Sequence, residues 1–192
     1  TYAYRGTVAG NNHMTAGDHA NYSFGNGTVD TPFSVGIWVA PADITTVALL
    51  AKYDVTGTLR EWAFRIDAAS KLSLELYDAS ADATEVGTGA NALTANLMQF
   101  LVATYDGGET SPVVKFYVNG THDGGDGSTT ETGSYVAMEN TATELLVGAS
   151  NLKTSPSELL DGWRVMPFVT GKCLLADYVS ALYEVSRQLV RS

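Results

Sequence analysis

The stretch from Leu97 to Gly120 does most to constrain the fold. It holds two short runs that are apolar at nearly every position, each closed by turn formers. Both runs are rich in β-branched and aromatic residues and too short for a helix, so they read as strands. Asp106-Gly107-Gly108 ends the first. Asn119-Gly120 ends the second, and a two-residue turn with φ > 0 at both positions wants that dipeptide, so a tight hairpin is expected there. Strands that are apolar on both alternating sets of positions need cover on both faces, which puts the pair in the middle of a packed sheet.

The flanking chain alternates more cleanly. Phe33, Val35, Ile37 and Val39 share one face of a strand, opposite Ser34, Gly36 and Trp38. Val47 to Tyr53 forms the next strand. In Glu61 to Asp67, Trp62, Phe64 and Ile66 share one face, against Glu61, Ala63, Arg65 and Asp67 on the other. Leu72, Leu74 and Leu76 repeat the pattern opposite Ser73, Glu75 and Tyr77, and the short link Ala68 to Lys71 makes the two a hairpin with one wet face.

Other segments are less regular. Thr1 to Ala20 is polar and reads as either a strand closing one sheet or an N-terminal arm that docks on a neighbour. Asn21 to Phe24 reads as a short strand, Ala79 to Asn96 as holding one strand near Glu85 to Thr88, and Gly120 to Ser134 as a surface loop or long hairpin. A strand is expected over Gly162 to Val169, with Pro167 pushing it toward an edge or a bulge. Leu175, Val179, Leu182, Ser186 and Leu189 then recur at helical spacing, widened by Tyr178 and Val185. This predicts a C-terminal helix over 174–190 that packs on the sandwich or, alternatively, contacts a partner protein.

Several of these residues carry a family resemblance. Val102-Ala103-Thr104-Tyr105-Asp106-Gly107 followed by Phe116-Tyr117-Val118-Asn119-Gly120 resembles the centre of the laminin-G-like, concanavalin A-like lectin/glucanase superfamily. Pro32 to Val39, Leu49 to Asp54, Leu145 to Ala149 and Asp161-Gly162-Trp163 resemble further pieces in that family's order. The resemblance implies an all-β fold, a jelly-roll β-sandwich of two antiparallel sheets, here with a C-terminal helix. It implies no single activity, because a shared fold does not fix function. One domain over 1–192 is expected from the length.

Charge narrows the partners. A net charge of −10 and a pI near 4.5 argue against nucleic acid and anionic membranes, whose phosphates need a basic surface. No apolar run approaches the ~20 residues of a membrane span, and Thr1 opens no signal-peptide pattern. Cys173 is the single cysteine, so no disulfide forms within the chain, and it reads as a buried structural residue.

Catalysis finds little support. Glucanases of the resembled family carry a Glu-x-Asp-x-x-Glu strand that sets a nucleophile about 5 Å from a proton donor, and no glutamate here has Asp two positions later. His13, His19 and His122 lack metal-ligand spacing. No cofactor is expected. Calcium is an alternative if Asp54, Asp106, Asp123, Asp126 and Asn119 converge, although turns already favour Asp and Asn at such places. Asn21, Asn26 and Asn119 head glycosylation sequons, which matter only in a secreted eukaryotic chain.

A binding face is the remaining reading. Arg65, Glu75, Tyr77, Lys115 and Tyr117 fall on alternate positions of neighbouring strands, and Tyr105 is a candidate to join them. Aromatic faces with charged hydrogen-bonding groups suit a sugar ring or a polar protein surface. The expected function is therefore a non-catalytic attachment module. Its expected setting, by resemblance to single-domain versions in tailed phages, is a virion surface, as a capsid decoration or fibre component. Expected partners are protein, either capsid protein or self, with a glycan as a further ligand. The alternative is an extracellular, secreted carbohydrate-binding module; a glycan hydrolase or lyase would require unrelated carboxylates to converge in space.

Overall fold

The computed structural model describes residues 4–55, 58–108, 112–125, 127–151 and 155–190. In chain order the strands are β1 (Tyr4–Gly6), β2 (Met14–Gly17), β3 (Phe33–Pro41), β4 (Val47–Asp54), β5 (Leu59–Ile66), β6 (Lys71–Asp78) and β7 (Ala83–Ala92). They continue as β8 (Gln99–Tyr105), β9 (Val114–Val118), β10 (Thr121–His122), β11 (Thr129–Thr132), β12 (Leu145–Val147) and β13 (Gly162–Thr170), before helix α1 (Ala176–Val190). They form two antiparallel sheets. The six-stranded sheet runs β1-β13-β3-β8-β9-β10, and the seven-stranded sheet runs β11-β7-β6-β5-β4-β12-β2. This is the expected jelly-roll sandwich.

The core lies between the sheets. Phe33, Val35, Ile37 and Val39 of β3, with Leu101 and Ala103 of β8, meet Trp62, Phe64 and Ile66 of β5 and Leu72, Leu74 and Leu76 of β6. Every residue of β8 is buried, because β3 and β9 flank it and both its faces are covered. Asn119 (φ 52°) and Gly120 (φ 78°) make the expected tight turn, and β10 folds back on β9 with Thr121 opposite Val118. The left-handed backbone that Asn and Gly tolerate is what closes this hairpin.

The N-terminal segment is part of both sheets. β1 pairs with β13 in one sheet and β2 pairs with β12 in the other, so the described part of this segment hydrogen-bonds to the chain's own edges. Residues 20–22 form a 3-10 turn where a strand was expected. Strand β7 is ten residues long, longer than its sequence suggests, because its glycines hide the alternation; a Cβ on Gly87 would stand 2.6 Å from Val114. The low-complexity stretch after Gly120 crosses from β10 of one sheet to β11, which pairs with β7 of the other. Pro167 sits in a bulge of β13, between Val165 and Phe168 in the pairing with β3.

Helix α1 covers the outer face of the six-stranded sheet. Val179 packs with Trp38, Phe100, Val102, Tyr117 and Val165, bordered by Leu174, Tyr183 and Val190. Trp38 Nε1 donates to Ser186 Oγ at 2.8 Å, and Ser186 in turn donates to Leu182 O at 2.6 Å. The chain leading into the helix is pinned by Ser34 Oγ, which donates to Lys172 O at 2.7 Å and accepts from Leu174 N at 2.9 Å.

The helix is therefore turned away from the expected orientation. Of the predicted stripe only Val179 and Ser186 are buried, while Leu175, Tyr178, Leu182, Val185 and Leu189 are exposed. The indole N–H of Trp38 explains the choice: a buried donor needs an acceptor, and Ser186 supplies one. No described helix is long and apolar enough to cross a membrane.

Candidate functional site

The outer face of the seven-stranded sheet carries a connected polar layer. Residues of β5 and β6 that point away from the core should all be solvated, yet most are held in bonds to one another. Arg65 Nη1 pairs with Glu75 Oε2, and Arg65 Nε donates to Glu158 Oε2 at 2.8 Å. Tyr53 Oη donates to Glu75 Oε1 at 2.7 Å, and the Arg65 guanidinium lies 4.4 Å from the centre of the Tyr53 ring. Beside this group, the Arg60 guanidinium stacks 3.8 Å above the Tyr77 ring and pairs with Asp82 Oδ1 at 3.3 Å, while Tyr77 Oη also bonds Asp82. Tyr53 and Tyr77 meet edge to face at 6.0 Å.

The electrostatics follow from this packing. Burial would lower the Arg65 pKa, but Glu75, Glu158 and Tyr53 outweigh it and raise it. Burial, then the Glu75 carboxylate, pushes the Tyr53 hydroxyl up. Tyr77 is pushed up to about 12 by burial and by its bond to Asp82, against the opposing pull of Arg60. Both phenols therefore stay neutral hydrogen-bonding groups at ordinary pH. The face presents guanidinium planes and carboxylate edges rather than bare aromatic rings.

Of the sequence-predicted site residues, Arg65, Glu75 and Tyr77 lie together here. The other three lie elsewhere. Tyr105 points into the core, fully buried, and donates to Asp30 Oδ2 at 2.9 Å; burial and Asp30 push its hydroxyl well above the ordinary tyrosine range. Its strand position shares the face of Leu101 and Ala103, so alternation assigns it inward. Lys115 is exposed, but it lies in β9 of the six-stranded sheet. Tyr117 is 3% exposed, in the layer beneath α1 and against His122. The ring of Tyr77 is equally covered, at 3% exposure, so neither tyrosine offers a free stacking face.

Sequence reasoning missed Tyr53, Arg60, Asp82 and Glu158. A bulge accounts for two of them. The register between β4 and β5 shifts at Lys52/Tyr53, where Trp62 pairs with Lys52 but Arg60 pairs with Tyr53. The extra residue, Glu61, turns inward instead of joining Arg65 on the wet face. It is fully buried, accepting from Lys52 Nζ at 2.6 Å and Thr141 N at 2.7 Å, and its burial pushes its pKa up. Arg60 takes the outward place. Glu158 arrives from a distant loop, which no local pattern marks.

The turn residues considered for calcium are not gathered. Asp106 Oδ1 accepts from Gly108 N and Val113 N at 3.0 Å, Asp123 is bound by Asn91, and Asn119 Oδ1 accepts from Phe100 N at 2.9 Å. Asp54 is buried at the end of β4, and Asp126 lies outside the described residues. Among the described residues no group of three or more His, Cys, Asp or Glu side chains could hold a metal ion. Cys173 is half-buried, and burial raises its thiol pKa.

Comparison with curated proteins returns no match. Solved structures do share the fold. The IT-sialidase CBM40 module of Ruminococcus gnavus bound to α2,3-sialyllactose superposes with a TM-score of 0.59 at 13% identity, over 82% of this chain and 84% of that one. The native heptameric SAP-like pentraxin of Limulus polyphemus gives 0.56 at 12% identity, over 89% and 81%. The binding domain of botulinum neurotoxin serotype G gives 0.61 at 14% identity, over 96% of this chain but 42% of that one. A family model described as the Concanavalin A-like lectin/glucanases superfamily matches residues 9–163, ending where β13 begins and leaving α1 outside. With that match spanning most of the sandwich, the chain belongs to the Concanavalin A-like lectin/glucanases superfamily.

Proposed function

We propose that this protein is a non-catalytic attachment module that holds a neutral glycan on the outer face of its seven-stranded sheet. The observation that carries the reading is the layer of Arg60, Arg65, Glu75, Glu158 and Asp82 fixed over Tyr53 and Tyr77. Pre-set donors and acceptors at this spacing match sugar hydroxyls without needing to be ordered on binding. The fold likeness to a sialyllactose-bound module supports a lectin-like role. Charge favours a neutral sugar: three carboxylates accompany two guanidiniums on the face, and the chain carries −10 overall. A non-catalytic role agrees with Glu75 and Glu158 both being committed to Arg65, which leaves neither as an evident proton donor.

The setting we propose is a particle surface, as a capsid decoration or fibre component, where attachment is the work to be done. Labelling purified particles with an antibody to the chain tests that setting independently of the ligand.

A glycan array with the purified chain tests the ligand. Neutral oligosaccharides should bind with Kd of about 1 mM or tighter, corresponding to about −4 kcal/mol. Arg60→Ala and Arg65→Ala should each weaken that binding. Selective capture of sialylated glycans, or binding unchanged in both variants, would overturn the assignment to this face.

A further inference from the structure

Helix α1, with Leu175 just before its first residue, leaves a second apolar stripe in solvent. Leu175, Tyr178, Leu182, Val185 and Leu189 are between 42% and 68% exposed, although each is large and apolar. Their spacing is three, four, three, four, which is the alternation of a helix-to-helix seam. Over 15 helical residues the stripe runs about 20 Å. It lies to one side of the face that Val179 and Ser186 press on the sheet. Ala181 and Gln188 flank it, so no charged side chain interrupts it; Asp177, Glu184 and Arg187 all fall on other faces.

A groove adjoins the stripe. It has a volume of about 430 Å³, lies between α1 and the bulged half of β13, and is lined by Met166, Pro167, Phe168, Leu174 and Leu182 among others. Met166 is itself 40% exposed. Each molecule thus carries an apolar ridge and an apolar groove side by side, with Leu182 common to both.

We infer that this face is where two copies of the chain associate, α1 against α1. Three features on the molecule select a second copy. A seam with three-four spacing takes another helix of the same spacing, and α1 is the one α-helix among the described residues. A two-fold places each ridge against the groove of the other copy, so one operation satisfies both surfaces. The area also suffices. At about 200 Å² per large side chain, the exposed parts of the five stripe residues and Met166 come to on the order of 600 Å². The groove wall, Ala181 and Gln188 bring this near the ~800 Å² per partner of a stable interface. Patches of this size are seldom left open on a monomer. The dimer would set two polar outer faces in one particle, adding avidity to any ligand bound there.

Sedimentation equilibrium of the full chain tests the inference. Wild type should show a concentration-dependent dimer at or below about 100 μM. Association should tighten as salt rises, because two copies of charge −10 repel and the seam holds no ion pairs. Leu175→Glu with Val185→Glu alters the two most exposed aliphatic positions of the stripe and should weaken association about tenfold or more, with an unchanged melting temperature at concentrations where both chains are monomeric. The corresponding double Lys variant should behave alike, and mixing the Glu and Lys variants should restore a heterodimer. Val185→Gln, uncharged and less disruptive, should shift the equilibrium in the same direction. A wild type that stays monomeric to about 100 μM, or a double Glu variant that dimerises like wild type, would overturn the inference and give the stripe to another occupant.

Discussion

The two outer faces of this sandwich answer the same problem in opposite ways. Beyond the six-stranded sheet, Trp38, Phe100, Val102 and Tyr117 are apolar or aromatic and lie under α1. Beyond the seven-stranded sheet, Tyr53, Arg65, Glu75 and Tyr77 have no described helix over them and are joined by hydrogen bonds and guanidinium stacking. A sheet face can be closed by burying it or by making its polar groups satisfy one another. The first way removes more apolar area from water and should carry more stability. The second leaves donors and acceptors within reach of a ligand.

The sharpest way to break this comparison is Trp38→Ala. The indole packs at a tilt against Phe100 at 5.3 Å and stacks on Tyr183 at 5.6 Å between ring centres, so its removal opens the whole helix–sheet contact. A loss of about 3–5 kcal/mol is expected in urea denaturation. A cost below about 1 kcal/mol would mean that α1 contributes little to the fold.

Ser186→Ala refines the same contact. The indole N–H would then be buried without its acceptor, costing about 1–2 kcal/mol with little loss of packed volume. The denaturation midpoint reads this cost, and an unchanged midpoint would show that this bond does not orient the helix.

Arg65→Leu asks the same question of the polar face. The side chains of Arg65, Glu75 and Glu158 are largely buried, so removing the guanidinium leaves two partly buried carboxylates without their partner, at an expected cost of about 1–3 kcal/mol, below that of Trp38→Ala. A cost equal to that of Trp38→Ala would make the polar layer a second core and erase the contrast.

How much of this contrast the sequence shows depends on the distance over which each feature is decided. β8 and β9 read as central strands because Phe100 to Tyr105 and Val114 to Val118 fill both faces, and the Asn119-Gly120 turn is local chemistry. The residues sharing the outer face of the β5–β6 hairpin are legible in the same way, which is why Arg65, Glu75 and Tyr77 are found together; that the face is largely buried rather than wet, with Ala63, Ser73 and Tyr77 covered, is not. The bulge that swaps Arg60 for Glu61 leaves no mark in alternation, since it exists only in the register against β4. Arg164 is hidden for a like reason. It sits 1% exposed between the sheets, donating to Val147 O at 3.1 Å and Leu160 O at 2.7 Å. Space for it comes from Gly6 and Gly148, where a Cβ would stand 1.7 Å from its terminal nitrogens. The strand Gly162 to Thr170 shows one arginine, and nothing near it in sequence shows two distant glycines making room.

Tyr77→Phe gives the smallest expected effect and tests whether the polar face is closed by its own bonds. In the folded chain the Tyr77 pKa is about 12, raised by burial and by the bond to Asp82, against an ordinary value of 10.0. Between those two values the unfolded chain loses this proton while the folded chain keeps it. The unfolded state then binds fewer protons, so stability falls as pH rises through that window. Below pH 10 the contribution is fully present and the slope from this group vanishes. Tyr53, also raised, acts in the same direction beside it. Removing the Tyr77 hydroxyl deletes one such group, so the variant should lose stability less steeply than wild type between about pH 10 and 12 in urea titrations. An identical alkaline slope in the variant would mean that the phenol is not held neutral by the fold, and the pairing of Arg60, Tyr77 and Asp82 would then be a loose surface cluster rather than a closed layer.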